Sequence, residues 1–421
     1  MHYSQMNAAQ LAAEKEALQK QYAAFQAQNL QLDMSRGKPC KEQLDLSMDM
    51  VNTPVDYTEN GTDLRNYGLM DGIMSCKKLF AEILDVQPEN VIVGGSASLN
   101  LMFDYIAQCY TKGAAGCTPW CKLDKVKFLC PVPGYDRHFT ICEHFGIEMV
   151  NVPMTAAGPD MDVIRDLVKD ESVKGMFCVP KYSNPQGITY SDDTVRAIAA
   201  LKPAAKDFRI IWDNAYCVHD LDTEHPDHLL NIFDVLGDYG NEDMVIEVAS
   251  TAKITFPGAG VSCLTASPAN LAEIRQRLTC ETISYDKMNQ KRHSAFFKDA
   301  AAVREHMKKH AAIIRPKFEI VLQHLETQLA PAGIAHWEKP NGGYFISLDV
   351  LPGTAKRTGE LCKAAGVVLT SVGATYPYGK DPQDKNIRIA PTYPSVQEIG
   401  QAAELLCICA KLAAIEKLES K

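Results

Sequence analysis

Val245-Ile246-Glu247-Val248-Ala249-Ser250-Thr251-Ala252-Lys253-Ile254-Thr255-Phe256-Pro257-Gly258 is the stretch on which the reading of this chain turns. Val245–Val248 has the β-branched content of a strand, and the run is closed by small, hydroxylated residues and then Pro-Gly. A lysine at that strand end, set among Ala252, Ile254 and Phe256, is partly desolvated. Desolvation disfavours the ammonium, lowers the pKa and frees the amine as a nucleophile toward an aldehyde. Taken alone, Lys253 reads more readily as a surface lysine with its stem on apolar atoms and its charge in water, by far the commoner case for any single lysine. The rest of the chain decides between the two.

Six further runs resemble that strand: Val91–Val93, Val126–Cys130, Glu148–Val152, Met176–Val179, Arg209–Trp212 and Val261–Thr265. From about residue 75 to 265 they alternate with helical patterns. The alternation predicts an α/β fold with a mostly parallel, seven-stranded sheet between helices. Ahead of it, residues 7–28 predict a helix, with Leu11, Leu18, Tyr22 and Phe25 at helical spacing. Behind it, 300–330 predict a long helix, in which Pro316 needs a kink or a first turn. A strand at Gly343–Leu348, a helix near 355–365, short strands at Val367–Thr370 and Ile387–Ile389, and a helix at 395–418 complete a smaller α+β unit. The expected division is an arm of 1–45 packing on the small domain, a large domain of 46–300 and a small domain of 301–421.

The 421 residues carry a net charge of -9 and no basic run, which argues against a nucleic-acid partner. No stretch of 18 apolar residues predicts a membrane span, and the N-terminus lacks a signal-peptide pattern. The expected setting is the cytoplasm. Fourteen cysteines fit reduced thiols there. Cys117/Cys121 and Cys407/Cys409 lack a second pair at zinc-site spacing, so no metal is expected.

In open α/β sheets, ligands collect at the carboxyl ends of the strands. After Val93 comes Gly94-Gly95-Ser96-Ala97-Ser98, small and hydroxylated residues that suit a phosphate at a helix start. After Cys130 comes Pro133-Gly134-Tyr135-Asp136-Arg137-His138, with an aromatic ring able to stack on a planar group. After Val179 comes Asn184-Pro185-Gln186-Gly187, a turn with an amide. Trp212 is followed by Asp213-Asn214-Ala215-Tyr216, whose carboxylate needs a cationic partner such as a pyridinium N–H. Each is an ordinary turn or cap in isolation. Their order matches a cofactor with a phosphate, a phenolic oxygen, a pyridine nitrogen and an aldehyde.

On these motifs the sequence resembles the class I aminotransferases of fold type I, which use pyridoxal 5'-phosphate. Ser250-Thr251-Ala252-Lys253, Pro340-Asn341-Gly342-Gly343-Tyr344-Phe345 and Asn386-Ile387-Arg388-Ile389-Ala390-Pro391 extend the likeness over nearly the whole chain. Ser35-Arg36-Gly37-Lys38-Pro39, Arg65-Asn66-Tyr67-Gly68 and Asp286–His293 resemble the type Ic, MocR-like aspartate aminotransferases. The resemblance implies that Lys253 carries the cofactor as a Schiff base and shuttles a proton. It implies that Asp213 pairs with the pyridine nitrogen, that Tyr216 and Asn184 bond the phenolic oxygen, and that Tyr135 stacks on the ring. Ser96, Ala97, Ser98 and Ser250 surround the phosphate, with Tyr67 reaching it from the second subunit of a homodimer. Arg388 grips the substrate α-carboxylate, with the Gly37 backbone beside it. His138 supports Asp213 from behind. Arg36 and Arg137 are candidates for the side-chain carboxylate.

One departure stands out. Many members place an arginine about eight residues after the lysine, on the phosphate. Here Gly258-Ala259-Gly260-Val261 fills that stretch, and Thr255 is the candidate donor in its place. The implied reaction is ping-pong amino transfer from aspartate or glutamate to a 2-oxo acid. A lyase or an aminotransferase acting on another amino acid would use the same lysine. A ligand-sensing regulator on this fold would need a DNA-binding domain, and only about 30 residues precede the first motif.

Overall fold

The computed structural model describes residues 2–420. Its strands are β1 (Leu32–Met34), β2 (Thr58–Glu59), β3 (Thr62–Asp63), β4 (Val91–Val93), β5 (Lys127–Val132), β6 (Glu148–Thr155), β7 (Gly158–Pro159), β8 (Val173–Cys178), β9 (Arg209–Asp213), β10 (Val245–Ser250), β11 (Ser262–Ala266), β12 (Ala335–Trp337), β13 (Ile346–Val350), β14 (Val367–Leu369) and β15 (Asn386–Ile389). The large sheet has the order β4-β11-β10-β9-β8-β5-β6-β7. The pairs β10–β9, β9–β8, β8–β5 and β5–β6 are parallel; β11 is antiparallel to both its neighbours. All seven expected strands are present. The count is eight because the two-residue edge strand β7 folds back on β6, a segment too short to show a strand pattern.

Alternate residues of each central strand enter different cores, as the two-residue repeat of a strand requires. Phe128, Phe177, Ile211, Ile246 and Val248 pack with Leu101, Tyr105, Leu271 and Ile274. Leu129, Met176, Ile210, Trp212 and Val245 pack with Val195, Ile198 and Val235 on the other face. Burial on both faces explains why these runs are continuously apolar.

The small sheet is β12-β13-β15, all antiparallel. The strand expected at Gly343–Leu348 begins instead at Ile346. Gly342 and Gly343 are spent on a close approach: a Cβ on Gly342 would lie 2.2 Å from the Tyr182 ring, and Gly343 has φ +79. Besides β7 and the two-residue pair β2–β3, two short strands went unread. One is β12. The other is β1, which pairs in parallel with β14 and fastens the N-terminal segment. The helix Ala8–Gln26 buries Leu11, Leu18 and Phe25 in the core that holds Leu405, Cys409 and Leu412.

The helix Ala300–His324 runs through Pro316 without interruption, so the proline is not in a first turn. Pro316 cannot donate to the carbonyl four residues back, which leaves that bond unmade. Val303 and Met307 pack beside Leu79, Ile254 and Phe297, whereas Ile314, Phe318 and Val321 join the small-sheet core. One helix thus ties both bodies together. Among the described residues, no helix is long and apolar enough to cross a membrane.

Candidate active site

The carboxyl ends of β5, β8, β9 and β10 meet the helix start after β4 around a cavity of about 420 Å³. Lys253, Asp213, Tyr216, Tyr135, Asn184, Ser250, Ala97, Ser98, Gly37, Arg36, Arg137 and Arg388 all line it. These residues come from segments as far apart as 36 and 388: most follow strands of the large sheet or open helices at its edge, whereas Arg36 and Gly37 follow β1 and Arg388 comes from β15 of the small sheet.

Lys253 closes the short 3-10 turn Thr251–Lys253 that β10 runs into. The buried lysines Lys77, Lys174, Lys181, Lys287 and Lys317 each have a carboxylate or carbonyl partner. The amine of Lys253 has none among the described residues and lies 4.8 Å from the centre of the Tyr216 ring. Burial holds the amine below the ordinary lysine value, with Asp213 pulling the other way. Burial also drives the Tyr216 phenol well above its ordinary value, reinforced by Tyr135 and Asp213, so it remains a proton donor.

Asp213 ends β9 and is 2% exposed. Its Oδ2 lies 3.0 Å from His138 Nε2, while its Oδ1 is buried with no partner among the described residues. A buried carboxylate oxygen left unpaired is costly unless a donor arrives from the cavity. His138 does not line the main cavity and stacks on Phe177 at 4.4 Å. Tyr135 stands edge-on to His138 at 5.0 Å, and burial raises its phenol to about 12.

The helix Ser98–Lys112 opens on the cavity with Ala97 as its N-cap and no side-chain cap. The N–H groups of Ala97, Ser98 and Leu99 have no acceptor among the described residues. Free N–H groups at a helix start favour an anion. Ser250 already donates its hydroxyl to the Ser96 carbonyl at 2.9 Å and accepts from Ala252 N–H. Ser96 contributes that carbonyl and does not itself line the cavity.

One expectation changes, and two more residues are placed. Thr255 is no phosphate donor: it is fully buried, with its hydroxyl against the Thr251 carbonyl (3.2 Å) and His293 Nε2 (2.9 Å). The place of the missing arginine has no room for one. A Cβ on Gly260 would lie 2.9 Å from both Ala252 Cα and the Ser96 carbonyl oxygen, and Val261 is buried. Tyr67 is 78% exposed and does not line this chain's own cavity.

Arg388, on β15, is 6% exposed. Its Nε donates to Thr370 (3.3 Å), and Nη1 donates to Asn184 Oδ1 (3.2 Å) and Asp136 Oδ1 (3.0 Å). Phe345 lies under its guanidinium at 4.8 Å. Arg36 and Arg137 are exposed at the cavity mouth and form no ion pair among the described residues. Sequence reasoning missed Lys38, Phe345 and Asp136 as lining residues. Asp136 lay within a quoted motif, but its pairing with a residue 252 positions away has no local signature.

The fold and this constellation define a fold type I transferase. The chain matches the family model described as aspartate amino-transferase over residues 5–421 and belongs to that family. A candidate aminotransferase of Mycolicibacterium smegmatis is 48% identical over 99% of each chain. The aspartate aminotransferase of Corynebacterium glutamicum is 45% identical over 95% of this chain and 94% of its own. The crystal structure of an aspartate transaminase from C. glutamicum superposes with a TM-score of 0.96 at 43% identity, covering 99% of each chain. The protein is an aminotransferase.

Proposed function

We propose that this enzyme binds pyridoxal 5'-phosphate at Lys253 and moves an amino group between aspartate or glutamate and the matching 2-oxo acids. The observation that carries the reading is Asp213, a buried carboxylate fixed through one oxygen by His138 with the other free. An acceptor of that kind suits a pyridinium N–H. The unpartnered Lys253 amine, the open N-terminus of the helix Ser98–Lys112 and the Tyr135 ring supply the remaining partners. When bound, the cofactor supplies an electron sink for charge at the substrate α-carbon and a carbon that carries nitrogen between the half-reactions.

Lys253 Nζ takes the α-proton and returns it, a role that needs the neutral amine favoured by burial. The Tyr216 hydroxyl and the Asn184 amide donate hydrogen bonds toward the phenolic oxygen. Arg388 orients the α-carboxylate through its planar fork. Arg36 and Arg137 receive the side-chain carboxylate, which their lack of an ion-pair partner among the described residues supports. Fourteen unpaired cysteines support a cytoplasmic setting. A homodimer is part of the proposal, with Tyr67 serving the neighbouring site. So is a division into an arm of 1–45, a large domain of 46–300 and a small domain of 301–421.

Substrate profiling with purified enzyme, cofactor and 2-oxoglutarate tests this. Oxaloacetate formation from aspartate is expected. Turnover of neutral or aromatic amino acids with none of aspartate or glutamate contradicts it.

A further inference from the structure

Arg388 can offer a carboxylate its end-on fork, Nη1 with Nη2, because Nε is turned to Thr370. Half of that fork is already taken by a carboxylate of the chain itself: Nη1 donates to Asp136 Oδ1 at 3.0 Å. Asp136 is not a buried structural partner. Its side chain is 30% exposed, against 6% for Arg388, and it lines the cavity. It is the first residue of the helix Asp136–His144, whose N-cap, Tyr135, makes no side-chain cap bond. A carboxylate released from Arg388 therefore stays beside the positive end of that helix.

We propose that Asp136 is a resident competitor for the substrate carboxylate: it occupies Arg388 in the empty enzyme and must be displaced when substrate binds. The inference rests on the reading of Arg388 as the α-carboxylate site. An internal competitor weakens every ligand by the same factor. Dicarboxylates that also reach Arg36 or Arg137 keep an absolute affinity high enough to work against it, and Asp136 thus sets how tightly Arg388 holds any substrate carboxylate.

The test compares Asp136→Asn, Arg388→Gln and the double variant as holoenzymes. It reads kcat and KM for aspartate and for alanine, and the dissociation constant of succinate by titration calorimetry. Asparagine suits a helix start, and Asp136→Ser answers if the first variant does not fold. In Asp136→Asn, KM for aspartate and the succinate constant are expected to fall roughly fivefold, a size typical of a partly exposed ion pair. The kcat should stay within about twofold, and kcat/KM for alanine and for aspartate should rise by the same factor. In the Arg388→Gln background the same change should do nothing. Unchanged or weakened succinate binding in Asp136→Asn overturns the proposal and makes Asp136 a support for Arg388. If Arg388→Gln itself binds succinate normally, the reading of Arg388 fails and the proposal with it, a result recognisable from that single variant.

Discussion

His138 Nε2 sits 3.0 Å from Asp213 Oδ2, and the imidazole is held flat against Phe177 with an interplanar angle of 8°. The ring thereby fixes which way the carboxylate turns its second oxygen. Removing the ring nitrogen frees Asp213 to rotate and leaves a buried charge with one partner fewer. A hydrogen bond to a charged group contributes about 1.5–3 kcal/mol. His138→Phe should therefore weaken cofactor affinity by roughly tenfold or more, measured by equilibrium dialysis, with the fold intact by circular dichroism. Affinity equal to wild type would mean that Asp213 needs no support.

Gly37 packs where a side chain cannot. A Cβ there would meet Phe345 Cζ at 2.5 Å, and that ring lies under Arg388. Gly37→Ala must push the ring and, through it, the guanidinium. Overpacking of this kind costs about 1–3 kcal/mol. The expected outcome is a KM for aspartate raised about tenfold with cofactor binding unchanged, read by steady-state kinetics beside a cofactor titration.

Buried histidines set an acid limit on stability. Burial lowers His293 to about 4 and His310 to about 3, against an ordinary 6.5. Between 6.5 and those values the unfolded chain binds protons that the folded chain refuses, so stability falls as pH falls through that window. A shift of this size corresponds to up to about 3 kcal/mol for His293. Glu247 acts in the opposite sense. Burial raises it to about 7, with Asn214 resisting, so its contribution is complete below 4.5 and is lost as pH rises toward 7. Thermal melts should show His310→Gln with a smaller fall in Tm from pH 6.5 to 4 than wild type. Glu247→Gln should remove a loss between pH 4.5 and 7. Parallel curves for wild type and both variants would contradict the assignments.

Much of this was legible in the residues because the chemistry sits at strand ends. Seven apolar runs located the sheet, and the residues after five of them named the cavity walls. What was illegible was non-local. β1 is a three-residue strand that exists only through β14, far along the chain, and β12 is equally short although its partner β13 follows closely. The Gly342 turn displaced the start of β13 because Tyr182 needs the space. Thr255 looked available because a hydroxyl near Lys253 suggests a donor, but one helical turn carries it back onto Thr251. The absence of an arginine after Lys253 was visible. Its cause, backbone packed at Gly260 against Ser96 and Ala252, was not.

The central claim is that Lys253 is the residue that holds the cofactor and moves the proton. Borohydride reduction of the enzyme loaded with pyridoxal 5'-phosphate, followed by peptide mass spectrometry, tests it most directly. The account predicts the phosphopyridoxyl mass on the peptide containing Lys253, and neither label at that position nor amino transfer in Lys253→Ala. A stoichiometric label on another lysine, or a Lys253→Ala enzyme that still turns over aspartate at the wild-type rate, would contradict it.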